Sequence, residues 1–286
     1  MKKVLLAAIL AIPVLFACNK KNTIDNTITP PKAAEQALTV DFQKATIPPT
    51  VNVTVDNKLE EVEVKTIHFL RSGKYLLEAV LVPVAKADDD ILHFSGTYSY
   101  SNGTYTLSGD CSVKVDVSGG KVSVDGEEVA QATTSTPNVT AGTFEDFLYR
   151  SWTISGLEVV FTKPDVKQRI SVSAGKNVTV AVEVANKAGA KIDAAKVAGY
   201  DVQTIDIDPN CIMLKFANGK TYAGNWNVLS SGKFNFTLVE ELTSGFIQDG
   251  KIEGDVEKSG EQLVAKVTVA SEQVNGTIII TFDQAK

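Results

Sequence analysis

Histidine is the first place to look for acid–base or metal chemistry, and this chain has two, His68 and His93. His68 lies between Ile67 and Phe69, and His93 between Leu92 and Phe94. Neither shows the short His spacing that points two imidazoles at one zinc ion. Both read as strand histidines, at the surface or hydrogen-bonded in a core. No histidine follows residue 93 and no Gly-x-Ser-x-Gly elbow occurs, so a Ser-His-Asp site confined to the second half is excluded. Cys111 has no basic or histidine neighbour in sequence to draw out a thiolate. Asp206-Ile-Asp208-Pro-Asn210 begins like a calcium loop, but Cys211 stands where the turn glycine belongs and Ala217 where the bidentate Glu belongs. Asp88-Asp89-Asp90 reads as solvated charge at a hairpin tip. Paired carboxylates at about 5 or 9 Å would suit glycoside hydrolysis. Yet Glu158, Glu183, Glu240, Glu241 and Glu253 all fall at positions expected of polar outward faces. Three arginines leave few bidentate anchors for phosphate or carboxylate ligands. The expectation is a non-enzymatic protein: no catalytic residue, no metal ligand, no cofactor.

The remaining cysteine carries a different chemistry. Lys2 and Lys3 precede an almost unbroken apolar run from Val4 to Phe16, and Leu15-Phe16-Ala17-Cys18 then places a small residue before the cysteine. Basic start, short apolar run and small residue at a cut make a secretory signal, too short to span a bilayer alone. With Cys18 directly after the small residue, the segment resembles the lipobox of bacterial lipoproteins, although Phe16 is bulkier than usual at its position. The resemblance implies cleavage after Ala17, lipidation of Cys18 and attachment to the membrane by three acyl chains, each worth about 0.8 kcal/mol per buried methylene.

Removing residues 1–17 takes away two lysines and no acid, moving the formal charge from -6 to -8, with 26 basic against 34 acidic residues. An acidic body lacks the basic footprint that nucleic acid or anionic headgroups require. No nucleic-acid partner is expected, and membrane attachment falls to the lipid anchor. Cys111 and Cys211 remain; an oxidising envelope permits pairing. They lie 100 residues apart in separate expected domains, and two buried free thiols are the expected arrangement.

Residues 18–37 are polar, carry Pro30-Pro31 and read as the lipidated cysteine with a flexible tether. Residues 38–130 form an expected N-terminal β domain, 131–142 a Thr/Ala-rich linker, and 143–286 a second β domain. In the first, Val51, Val53 and Val55 alternate with polar residues, as do Val62 and Val64, Val113, Val115 and Val117, and Val122 and Val124. A period of two marks half-buried antiparallel strands. Asn102-Gly103 between Tyr98-Ser-Tyr100 and Thr104-Tyr105 predicts a type I′ hairpin.

The second domain opens with Thr143 as cap of a short helix bearing Phe144, Phe147 and Leu148, then Trp152 on a strand through Phe161. Strands are expected at 170–173, 178–184, 202–207, 212–216, 222–228, 234–239, 247–256, 263–269 and 277–282, with a short helix from Asp193 to Gly199. A helix turn followed by this meander suits a closed or nearly closed barrel, which removes exposed edges. The fold class is all-β, two antiparallel domains. A weak repeat links Phe69, Gly73 and Tyr75 with Phe216, Gly219 and Tyr222, an aromatic following a turn glycine in each half.

Trp152-Thr-Ile-Ser-Gly-Leu157, with Phe216-Ala-Asn-Gly-Lys-Thr-Tyr222-Ala-Gly-Asn-Trp226 downstream, resembles the lipocalin-like domains of Bacteroidetes envelope lipoproteins. The resemblance covers roughly residues 144–286 and implies an up-and-down barrel, and few such families have an assigned activity. It makes Trp152, Phe216, Tyr222, Trp226, Phe234 and Phe236 candidates to line a site for a small apolar or amphipathic ligand, or else for an envelope partner protein. The alternative is a glycan-binding accessory lipoprotein of a polysaccharide-uptake system, stacking sugars on Tyr98, Tyr100 and Tyr105. A fimbrial subunit is a third reading; maturation in that class commonly cuts after an early Arg, and none precedes Arg71. Cys18 is followed by Asn-Lys-Lys-Asn rather than an acidic run. Within this group that implies an outer-membrane anchor facing the periplasm.

Overall fold

The computed structural model describes residues 16–17, 33–55, 58–82, 91–163, 166–173, 201–209, 211–228, 233–238, 251–270 and 275–285, with Val180, Glu183, Ala195 and Gly199 singly. The fold is all-β, with two antiparallel sheets belonging to two compact units. One unit spans Asn26–Arg150, and the other joins Met1–Asp25 to Ser151–Lys286. A two-residue strand β1 (Phe16–Ala17) belongs to the second sheet.

In the N-terminal unit, strands β2 (Leu38–Asp41), β3 (Thr50–Val55), β4 (Lys58–Phe69), β5 (Lys74–Leu81), β6 (Leu92–Ser101), β7 (Thr104–Gly109), β8 (Lys114–Ser118), β9 (Lys121–Val124), β10 (Glu127–Glu128) and β11 (Thr133–Ser135) form one sheet. From β4 to β10 each strand pairs with its sequence neighbour, while β2 and β3 both flank β4. The valine alternation decides the faces. Val51, Val53, Val62, Val64, Val115 and Val122 are buried in one apolar core, while Asn52 and Thr54 are exposed. Each fully buried side chain of this kind contributes about 1.5–3 kcal/mol.

The turns follow their residues. Asn102-Gly103, Gly119-Gly120 and Asp125-Gly126 all take positive φ at both central positions and close two-residue hairpins, the type I′ geometry. The β4–β5 turn is also like the turn between Phe216 and Lys220 in the second unit. Leu70 N donates to Lys74 O and Gly73 N to Leu70 O; Phe216 N donates to Lys220 O and Gly219 N to Phe216 O. Gly73 and Gly219 both have φ of 84°. This is the common three-residue hairpin loop with glycine in the left-handed position, so turn chemistry by itself explains the recurrence.

The expected linker is partly structural, because Thr133–Ser135 pairs with β2. The helix α1 (Phe144–Leu148) groups with the N-terminal unit instead of opening the second. Thr143 caps it as expected, accepting from Asp146 N at 3.3 Å. The reason for its placement is the ion pair of Asp146 with Arg71, both buried.

The second unit holds β12 (Ser151–Lys163), β13 (Val166–Ser173), β14 (Val202–Asp208), β15 (Cys211–Phe216), β16 (Thr221–Val228), β17 (Lys233–Leu238), β18 (Lys251–Ser259), β19 (Gln262–Ala270) and β20 (Asn275–Gln284). Strands β14 to β20 pair in sequence order, β17 with β18 included, and β12 pairs with both β14 and β20. These pairings close a circuit of eight antiparallel strands, the connectivity of an up-and-down barrel. β13 and β14 pair with different stretches of β12, Gly156–Lys163 and Ser151–Trp152 respectively. Val180 and Glu183, the described residues of the strand expected at 178–184, are helical. Most of the helix expected from Asp193 to Gly199 lies outside the described residues.

Candidate functional site

The barrel ladder places one row of positions on a common face. Trp152 pairs with Ile205, Ile205 with Leu214, and Leu214 with Tyr222. On the other side Ile154 pairs with Phe282, and Phe282 with Leu263. All seven are buried, at 0–6% exposure. A bulge at Ser155–Gly156 advances β12 by one residue, so that Leu157 rather than Gly156 continues the buried row. The expected lining residues Trp152 and Tyr222 thus lie on one row, separated by β14 and β15, and Phe216 meets Tyr222 edge-to-face at 5.4 Å. Trp226 pairs with Phe236, and Phe234 with Gly254. The side chains of Trp226, Phe234 and Phe236 lie outside the described residues, as does Cys18.

The hairpin of β14 and β15 is buried on both faces: Asp206, Asp208, Cys211 and Met213 join the apolar row in exclusion from solvent. Asp206 and Asp208 lie in an extended ladder opposite Met213 and Cys211, which is not calcium-loop geometry. Cys111 and Cys211 are both buried, and neither is in a disulfide.

The three tyrosines proposed for sugar stacking differ in exposure. Tyr105 is buried and stacks on Phe69 at 4.0 Å, and its hydroxyl donates to Gln36 O at 2.9 Å. Tyr98 packs edge-on against Phe69 at 5.2 Å and donates to Leu70 O at 3.0 Å. Tyr100 alone of the three is exposed, with its ring 4.8 Å from that of Tyr105. The inward alternation of β6 and β7 draws them into the core edge.

Two further arrangements were not legible in the spacing. Both histidines face Glu78: His68 Nε2 is 3.8 Å from one carboxylate oxygen and His93 Nε2 is 3.7 Å from the other. Register explains it, since Glu78 stands directly opposite His93 across β5–β6 and diagonal to His68 across β4–β5. Burial alone pushes the Glu78 carboxyl up, but the two imidazoles reverse this and hold it at about 2. The second is Tyr75, whose buried hydroxyl accepts from Cys111 N at 3.1 Å and lies 3.4 Å from its thiol. Burial raises the Tyr75 hydroxyl, and raises the Cys111 thiol to about 11, so Cys111 stays a protonated thiol. An open depression of about 360 Å³ is lined by Thr106, Ser112, Val113, Lys114 and Asp125. Among the described residues no group of His, Cys, Asp and Glu could hold a metal ion, and no helix is long and apolar enough to cross a membrane.

No family model and no curated protein matches this chain. Among solved structures, a porin-like protein from Bacteroides uniformis aligns over 86% of this chain and 96% of its own, at 6% identity and a TM-score of 0.17. A likeness that weak carries no argument about fold or function.

Proposed function

We propose that this chain is a lipid-anchored envelope lipoprotein without enzymatic activity, whose C-terminal barrel takes up a small apolar or amphipathic ligand. The observation that supports ligand binding is the closed eight-strand circuit with its apolar row from Trp152 through Leu214 to Phe282. A barrel of eight strands either fills its interior with side chains or holds one small ligand. Trp152 and the edge-to-face pair Phe216 and Tyr222 are the buried positions offered to such a ligand, with the ladder positions of Trp226, Phe234 and Phe236 beside them. An envelope protein as the bound partner is the companion reading, and the Cys18 anchor, in the outer membrane and facing the periplasm, serves both. The glycan reading retains only Tyr100 as a stacking surface, and the fimbrial reading gains no support.

Native mass spectrometry of protein purified from its own envelope tests the proposal. A non-covalent mass that travels with the chain and leaves on denaturation in organic solvent is the expected result. A spectrum showing only the acylated polypeptide overturns the ligand reading and leaves the anchor standing.

A further inference from the structure

We propose that the open depression beside β7 and β8 in the N-terminal unit binds a neutral glycan chain. It holds about 360 Å³, at the small end of the roughly 300–1,000 Å³ common among ligand sites. Thr106, Ser112, Lys114 and Asp125 line it, and buried Val113 is the apolar member of the lining. The fold sets these groups in place. Thr106 stands opposite Lys114 across β7–β8. Asp125 has a φ of 49°, in the left-handed region, and its carboxylate accepts from Lys114 N at 2.8 Å. In return Asp125 N donates to Lys114 O at 2.8 Å. That two-way lock orients the carboxylate before any ligand arrives.

The lining mixes donors and acceptors. Each hydroxyl does both, the Lys114 ammonium only donates and the Asp125 carboxylate only accepts. Adjacent sugar hydroxyls match that mixture, whereas a compact anion would meet Asp125 and a compact cation Lys114. The neighbouring sheet face continues the same chemistry. Across β6 and β7 three successive pairs set hydroxyl against hydroxyl: Thr97 with Ser108, Ser99 with Thr106, and Ser101 with Thr104. Thr106 belongs both to the depression and to this array. The six positions alternate with core-facing Tyr98, Tyr105 and Leu107, and none of them carries a charge. Strand propensity accounts for the threonines but not for Ser99, Ser101 and Ser108. An acidic chain repels a polyanion. A neutral polysaccharide, seated in the depression and running over the array, satisfies both the hydroxyls and the charge. The site uses neither the barrel nor the Tyr100 ring, so it stands apart from the ligand reading above.

Polymers are the right probes, because one chain then engages several weak positions at once. The full chain from residue 18, carried as Cys18→Ser to keep it in solution, is run in native gels containing soluble glucan, xylan or mannan. A parallel arm sediments it with purified peptidoglycan sacculi. Retention by at least one of the four is expected, and the two arms distinguish a free polysaccharide from the cell wall as its source. Thr106→Val combined with Ser112→Ala should weaken retention about tenfold, the loss expected for two neutral hydrogen bonds. Tyr100→Ala should leave it unchanged. No retention by any of the four overturns the proposal. So does retention that survives the double variant, or that is lost in Tyr100→Ala, which would move the site to the exposed ring. Should the double variant fail to fold, amide NMR of the unsubstituted site decides, titrated with oligosaccharides of the retained polymer. Shifts centred on Thr106, Ser112, Lys114 and Asp125 support the site, and shifts confined to other residues overturn it.

Discussion

Gly96 stands directly opposite Gly109 across β6 and β7, and the ring of Tyr75 occupies the space that both leave open. A Cβ at Gly96 would lie 2.2 Å from Ser108 O and 2.7 Å from Tyr75 Cε1. A Cβ at Gly109 would lie 2.7 Å from Gly96 Cα, and its φ of 142° is itself glycine territory. The pair lets the Tyr75 hydroxyl reach Cys111 beneath the sheet. Gly96→Ala should therefore cost about 2–3 kcal/mol in urea unfolding, since backbone and ring must both move. Gly120→Ala meets nothing within 4 Å and should cost only the left-handed penalty, about 1 kcal/mol. Equal losses at the two sites would show that the packing around Tyr75 is not what Gly96 protects.

Asp146 is fully buried and holds α1 in place through three contacts: the Arg71 guanidinium, Gly142 N at 2.9 Å, and Arg150 donating to the Asp146 carbonyl at 3.0 Å. Breaking a buried pair from one side costs about 3–5 kcal/mol, because the surviving charge is stranded. Asp146→Ala should fall in that range by denaturant unfolding. A fragment of residues 33–150 should then fold with a cooperative transition, whereas residues 33–142 should melt at lower temperature. Identical melting of the two fragments would remove α1 from the N-terminal unit.

Alkali should unfold the N-terminal unit before its buried Tyr75 and Tyr105 ionise. Burial raises Tyr75 strongly, Tyr105 to about 12 and Cys111 to about 11, all acids whose neutral form the fold prefers. The unfolded chain binds fewer protons above pH 9, so stability falls as pH rises from about 9 through 11. Tyrosinate absorbance should rise in step with loss of the β circular dichroism signal. Ionisation of Tyr75 or Tyr105 at pH 10 in a folded protein would contradict the burial described here.

Cys18→Ser should abolish acylation and move the chain from the membrane to the soluble periplasmic fraction. Metabolic labelling with palmitate and fractionation check this directly. A chain that remains at the membrane without label would be held by something other than acyl chains.

Much of the scaffold is written locally. Period-two valines, the Asn102-Gly103 turn and the Thr143 cap depend on neighbours a few residues away, and each appears where the pattern places it. Sites were less legible. Tyr98 and Tyr105 alternate as surface aromatics would, yet the curl of the sheet folds their side of β6 and β7 against Phe69. Nothing in the flanks of His68, Glu78 or His93 links them, because cross-strand neighbours are set by register, and the bulge between Val64 and Thr66 shifts β4 against β5.

By itself, the amino-acid order determined the all-β class, the strand-by-strand alternation and the turn types, since these are short-range consequences of backbone sterics and of burial on one face. Tertiary structure alone decided that β17 pairs with β18 and β12 with β20 to close a barrel, that α1 joins the N-terminal unit through Arg71, and that two histidines 25 residues apart share one carboxylate. Each of those depends on which strands become neighbours and in what register. That choice is made by the burial of the whole sheet at once rather than by any local segment.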